Sequence, residues 1–182
     1  MAQGNRIGTV LAWAPAAAFC SLAVPAMAQD TVSGTASATV YEPVQIVNTS
    51  DLDFGSIIPN GTGVGRVRIN ARNGNRNTNV NVEPYGTTGF GRALFTITGE
   101  SRSFVNLTTT TPIITLTGPG APMTVDRLRV SRNGGGQRAL PQTYRIPASG
   151  SMTIGFGGRL RVATDQAPGF YTGSFDLIVT YQ

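Results

Sequence analysis

Gly169-Phe-Tyr-Thr-Gly-Ser-Phe-Asp-Leu-Ile-Val-Thr-Tyr-Gln182 closes the chain. In an extended backbone successive side chains face opposite sides. Tyr171, Gly173, Phe175, Leu177, Val179 and Tyr181 therefore share one face. Thr172, Ser174, Asp176, Thr180 and Gln182 share the other, and only Ile178 breaks the polar side. The pattern predicts a long, half-buried strand over Tyr171–Tyr181, launched from the turn Gln166-Ala-Pro-Gly169. A strand this apolar needs neighbours on both edges, because an open edge templates aggregation.

A second alternating stretch lies near the other end. Over Gln29–Tyr41, Val32, Gly34, Ala36, Ala38 and Val40 fall on one side, and Thr31, Ser33, Thr35, Ser37 and Thr39 on the other. Its inward residues are small and it carries almost no charge. Two readings stand open: a first strand of the domain's own sheet, or a free extension seeking a groove. Pro43 then interrupts, as proline does at a strand boundary. Residues 29–42 thus read as an N-terminal extension or first strand, and residues 43–182 as the domain proper.

Ahead of both, one positive charge at Arg6, the apolar run Ile7–Val24 and the ending Pro25-Ala-Met-Ala28 predict a secretory signal peptide over residues 1–28. The chain is expected to be exported, to the periplasm, cell surface or beyond, touching membrane only through that leader.

Between the two alternating ends, turn signals recur about every twelve to seventeen residues, among them Asn60-Gly-Thr-Gly63, Asn73-Gly-Asn75, Gly86–Gly89, Gly118-Pro-Gly120 and Asn133-Gly-Gly-Gly136. No helical period intervenes. Short strands are expected at 44–47, 52–58, 65–71, 79–82, 92–98, 104–107, 113–116, 123–130, 144–146, 151–156 and 159–162. With 23 glycines and 11 prolines, the composition favours tight turns, and the expectation is an all-β antiparallel sandwich of roughly eight to ten strands.

Residue inventory narrows the chemistry. The single cysteine, Cys20, leaves with the leader, and there is no histidine. The exported chain then has no thiol nucleophile and lacks the commonest general base and metal ligand. All 14 basic residues are arginine, so Lys–Asn isopeptide crosslinks are excluded and any assembly is non-covalent. A serine nucleophile has neither histidine nor lysine to activate it. A non-enzymatic role without cofactor is expected. The net charge of +5 is spread along the chain rather than blocked, which argues against a nucleic-acid arm.

Two constellations remain. Asp51 and Asp53 point the same way in an extended segment, beside Asn48, Thr49 and Ser50, so a calcium site or a local Asx turn would each use them. Three Arg-x-Arg pairs, Arg66/Arg68, Arg127/Arg129 and Arg159/Arg161, put both arginines of each pair on one strand face. If the three strands are neighbours, they form a basic stripe for phosphates or acidic sugars; otherwise they are ordinary solvated faces.

Certain segments resemble known families. Ala36-Ser-Ala-Thr-Val40, Leu52-Asp-Phe-Gly-Ser-Ile-Ile-Pro59, Ala93-Leu-Phe-Thr-Ile-Thr-Gly99, Gly157-Gly-Arg-Leu160 and Gly169-Phe-Tyr-Thr-Gly173 resemble an uncharacterised domain family of secreted bacterial proteins, domain of unknown function 4402. Gly169, fourteen from the end, and the penultimate Tyr181 are similar to the C-terminal signature of chaperone–usher pilus subunits. That resemblance implies an incomplete immunoglobulin-like Greek-key sandwich whose groove takes the N-terminal strand of the next subunit. It implies Val32, Gly34, Ala36, Ala38 and Val40 as the donor strand, with Gly169, Tyr171, Phe175, Leu177, Val179 and Tyr181 facing the donor or a chaperone. Its partners would be other copies or related subunits, a periplasmic chaperone and an outer-membrane usher. The departures are the missing cysteine pair and the small donor residues. The competing expectation is a self-complete envelope sandwich that binds acidic polysaccharide through the arginine pairs.

Overall fold

The computed structural model describes residues 30–182; the leader read over residues 1–28, its cleavage position and Gln29 lie outside the described residues. The chain divides into two units, Met1–Ala38 and Thr39–Gln182. Of the first, Asp30–Ala38 carries no strand and is exposed, with Val32 at 90%.

The second unit is all-β. Its strands are β1 (Gln45–Ser50), β2 (Ile57–Pro59), β3 (Gly65–Ile69), β4 (Arg76–Thr78), β5 (Val82–Pro84), β6 (Ala93–Thr98), β7 (Phe104–Thr108), β8 (Ile114–Leu116), β9 (Met123–Arg132), β10 (Gln142–Arg145), β11 (Ser151–Val162) and β12 (Ile178–Tyr181). Every pairing is antiparallel. Of the twelve strands, more than the expected eight to ten, only the three-residue β4 has no counterpart among the expected segments. Its run Arg-Asn-Thr is polar throughout, so only its pairing with β3 defines it.

β11 organises the larger sheet. One of its edges pairs first with β6 and then with β3, while the other pairs with β9. β1 extends the sheet beyond β6, β4 beyond β3, and β8 beyond β9. The sequence suggested two strands here, separated at Gly157-Gly158. They form one because glycine lets other backbone cross the sheet closely: a Cβ on Gly155 would strike the Ala71 carbonyl, and one on Gly157 the Ile69 carbonyl. β7 pairs with β10 and β12 in the smaller sheet, and β2 with β5 in a separate ribbon.

The apolar faces meet in one core. Ile97, Ile154, Phe156 and Leu160 from the larger sheet and Val105 and Leu107 from β7 are buried almost completely. The alternation expected for Ala93, Phe95 and Ile97 is present, all three being buried. An all-β, antiparallel, sandwich-like arrangement follows.

The closing strand is shorter than its pattern predicts. Over Tyr171–Tyr181 the face alternation persists, since Tyr171, Phe175, Leu177, Val179 and Tyr181 are half-buried against the core. Yet only Ile178–Tyr181 forms a ladder, with β7, and Thr172 makes an isolated bridge to Thr117. Gly173–Leu177 belongs to no ladder. Side-chain periodicity reports which face meets the core, whereas pairing depends on whether a neighbour is present.

Candidate functional site

Beside that unpaired segment lies a groove of ≈ 990 Å³. Gly169–Phe175 forms one wall and Asp51–Ile57 the other, with Phe95, Ile114, Leu116, Met123, Val125 and Leu160 between them. The lining between the walls is thus core apolar surface. Asp51–Ser56 on one wall and Gly169–Phe175 on the other carry no strand, only the isolated bridges of Asp53 and Thr172.

Local chemistry holds the first wall. Gly169 has φ +148°, and a Cβ there would lie 2.5 Å from Pro119 Cγ, so only glycine fits. Next, the Tyr171 hydroxyl donates to the Ala167 carbonyl at 2.9 Å and accepts from Gln166 Nε2 at 2.8 Å and the Gly120 amide at 3.1 Å. The hydroxyl thus ties Tyr171 to the turn before it and to Gly120. The Phe175 ring then stacks on Phe156, centroids 4.5 Å apart, and meets Phe95 edge-on at 6.1 Å. The segment is anchored by side chains while its backbone stays without a ladder. Phe170, on the same wall, is 84% exposed.

Arg76 holds the second wall, a role the sequence offered no sign of. Its guanidinium donates to the carbonyls of Phe54 and Ser56, both at 3.3 Å, and to Gly86 at 2.6 Å, and lies 4.3 Å over the Phe90 ring. Leu52-Asp-Phe-Gly55 was legible as a motif, and its Phe54 is buried at the groove. Asp53 and Gly91 exchange backbone hydrogen bonds, while the Asp53 carboxylate accepts from the Gly55 amide at 2.7 Å. Asp51 accepts from Asn48 Nδ2 at 2.6 Å. Both carboxylates are therefore engaged in local turns.

Tyr181 closes the far end of the segment. Its hydroxyl accepts from the Glu100 amide at 2.7 Å and donates to the Glu42 carbonyl at 2.5 Å. Leu177 and Val179 pack on the core beneath it. Just before Glu42, Val40 is 92% and Tyr41 62% exposed. Of the other donor-pattern residues, Gly34, Ala36 and Ala38 are exposed as well.

The arginine pairs are brought together in part. β3, β11 and β9 are adjacent, with Arg159 opposite Arg68 and Asp126, and Arg161 opposite Arg66 and Thr124. Asp126 accepts two hydrogen bonds from Arg159, both 2.6 Å, and one from Arg161 at 2.7 Å. The Arg159 hydrogen bond, reinforced by Arg161 against the effect of burial, lowers the Asp126 pKa from 3.8 to about 2. Arg129, opposite Gly157, lies on the same face. Arg127 does not follow its partner: it sits in a β-bulge at φ +51°, which takes it out of the alternation. The stripe is hence Arg66, Arg68, Arg129, Arg159 and Arg161, with one carboxylate inside it.

Among known proteins, no curated sequence and no solved structure matches this chain. The family model described as domain of unknown function (DUF4402) matches residues 44–181, from the end of the exposed N-terminal stretch to the penultimate tyrosine. The chain belongs to the DUF4402 family.

Proposed function

We propose that this protein is a non-enzymatic structural subunit of a cell-surface filament or coat, assembled by donor-strand exchange. Thr31–Val40 of one copy enters the groove of the next, placing Val32, Gly34, Ala36, Ala38 and Val40 over the core. The observation that supports this reading is the groove itself, a cleft with an apolar floor whose wall includes Gly173–Phe175, a stretch without a ladder. The exposed alternating segment has the complementary chemistry. As a strand its ten residues span ~33 Å at about 3.3 Å per residue. Burying two valines and two alanines contributes ~5 kcal/mol, and main-chain hydrogen bonds along Gly173–Leu177 supply the rest. A periplasmic chaperone would cover the cleft before an outer-membrane usher assembles the subunits.

Deleting Thr31–Val40 tests the proposal. The expected result is a secreted monomer in place of a ladder of multimers that collapses on boiling. Multimers of unchanged size and heat sensitivity would sink it.

The adjacency of β3, β11 and β9 favours a second reading, a self-complete sandwich gripping acidic polysaccharide through Arg66, Arg68, Arg129, Arg159 and Arg161. It requires salt-sensitive retention on an anionic glycan column. Retention that survives neutralising Arg66, Arg68 and Arg129 disposes of it.

A further inference from the structure

Away from the groove, the connection between β9 and β10 builds a second concavity of ≈ 410 Å³. Arg132, Arg138 and Arg145 line it together with Gly135, Gly136 and Tyr144, and no carboxylate does. The backbone that carries the arginines is well fixed. Arg138 exchanges two hydrogen bonds with Val130, both 2.8 Å, and the Gly135 amide donates to the Arg132 carbonyl at 2.8 Å. The hydroxyl of the buried Ser131 donates to the Gly135 carbonyl at 2.8 Å, and Asn133 clasps Thr153 through both its backbone amide and its side-chain oxygen.

The guanidiniums are only partly engaged. Arg132 donates one hydrogen bond to the Arg145 carbonyl at 3.1 Å and lies 5.8 Å from the Tyr144 ring centroid. Arg145 donates one to the Arg102 carbonyl at 2.9 Å. Each guanidinium carries five donors, so most remain directed elsewhere. Among the described residues, Asp126 is the only carboxylate in an ion pair, and its partners are Arg159 and Arg161.

Between these cations the Tyr144 hydroxyl is buried and has no hydrogen-bond partner in the protein. Such a group is costly when left unpaired, and native folds keep few of them. Burial outweighs the influence of Arg138 and Arg132 and raises its pKa, so it stays a neutral donor. Arginine and tyrosine donors therefore line one concavity with no carboxylate among them.

We propose that this concavity binds an oxyanionic group, clamped by Arg132 and Arg138 and accepting a hydrogen bond from the Tyr144 hydroxyl. A phosphate ester and a sugar carboxylate share this chemistry. The site is separate from the strand-exchange groove, and its existence does not depend on that assembly.

Calorimetric titration of the full exported chain with inorganic phosphate and, separately, with glucuronate tests the proposal. Saturable one-to-one binding is expected for at least one of them, and which one identifies the source. Arg132→Gln with Arg138→Gln should weaken it by at least about tenfold, the equivalent of one charge-assisted hydrogen bond. Tyr144→Phe should weaken it several-fold while leaving the melting temperature of the free protein no lower. The control Arg66→Gln with Arg68→Gln should leave it unchanged. Absence of saturation with both ligands overturns the proposal, as does an equal loss in the control, or full binding by Tyr144→Phe.

Discussion

Asp126 shows how one side chain settles the character of a surface. Four arginines from β3 and β11 face one another across the ladder in two rows, an arrangement that like charges oppose. Asp126 takes three guanidinium hydrogen bonds and makes the arrangement tolerable. Asp126→Asn should destabilise the fold by about 1–2 kcal/mol, measured by urea unfolding. The contribution also has a definite pH window. The folded carboxyl releases its proton more readily than the unfolded one, whose pKa is 3.8, so stabilisation is complete above that value and is lost as pH falls through about 2. Melting curves of wild type and Asp126→Asn should converge across that interval; a constant separation down to pH 2 would contradict the assignment. Tyr181 acts similarly for the backbone. Tyr181→Phe strands the Glu100 amide and the Glu42 carbonyl, and a loss of about 1–2 kcal/mol is expected, with faster hydrogen exchange at Glu100.

At the scale of elements, the closing segment behaves as two pieces. Ile178–Tyr181 is held by β7, whereas Gly173–Leu177 is held by side chains, Phe175 and Leu177 on the core and Asp176 by a hydrogen bond from the Thr110 hydroxyl at 3.0 Å. Amides of Gly173–Leu177 should exchange fast in the isolated subunit and those of Thr180 and Gln182, which donate to β7, slowly, as read by hydrogen-exchange mass spectrometry or NMR. Uniform protection across the whole segment would refute this division. Gly173 limits how the segment can move, because a Cβ there would collide with the Thr115 carbonyl. Gly173→Ala should therefore push the segment off β8 and lower the melting temperature. On the opposite wall, Arg76→Ala removes three hydrogen bonds to carbonyls of Phe54, Ser56 and Gly86. Increased proteolysis near Ser56, without global unfolding, is the expected consequence.

For the whole molecule, the decisive property is a cleft with an apolar floor in an otherwise well-packed sandwich. A body of this kind gains stability from any strand that fills the cleft, by mass action. A synthetic peptide of residues 31–40, added to the chain that lacks them, should raise the melting temperature in a concentration-dependent way. It should also protect the amides of Gly173–Leu177. A peptide with Val32, Ala36 and Val40 replaced by Asp should do neither, and equal effects from both peptides would argue against the groove as its site.

Much of this was legible from residue order alone. The period of two in Gly65–Ile69, Ala93–Thr98 and Tyr171–Tyr181 determined the all-β class and which side chains face the core, because that period is a property of the extended backbone. Gly169 and Tyr181 were also recognisable as special positions, and the structure supplies reasons for both: a φ of +148° against Pro119, and a hydroxyl joining Glu42 to Glu100. Pairing was not legible. That β11 is one strand, that β3 and β9 flank it, that Asp126 sits within the arginine rows, and that Gly173–Leu177 lacks a neighbour are outcomes of long-range packing. The Arg76 latch and the concavity around Tyr144 are of the same kind. Alternation records a side chain's relation to its own backbone, whereas ladders, grooves and charge pairs join residues tens of positions apart, and only the tertiary fold brings those together.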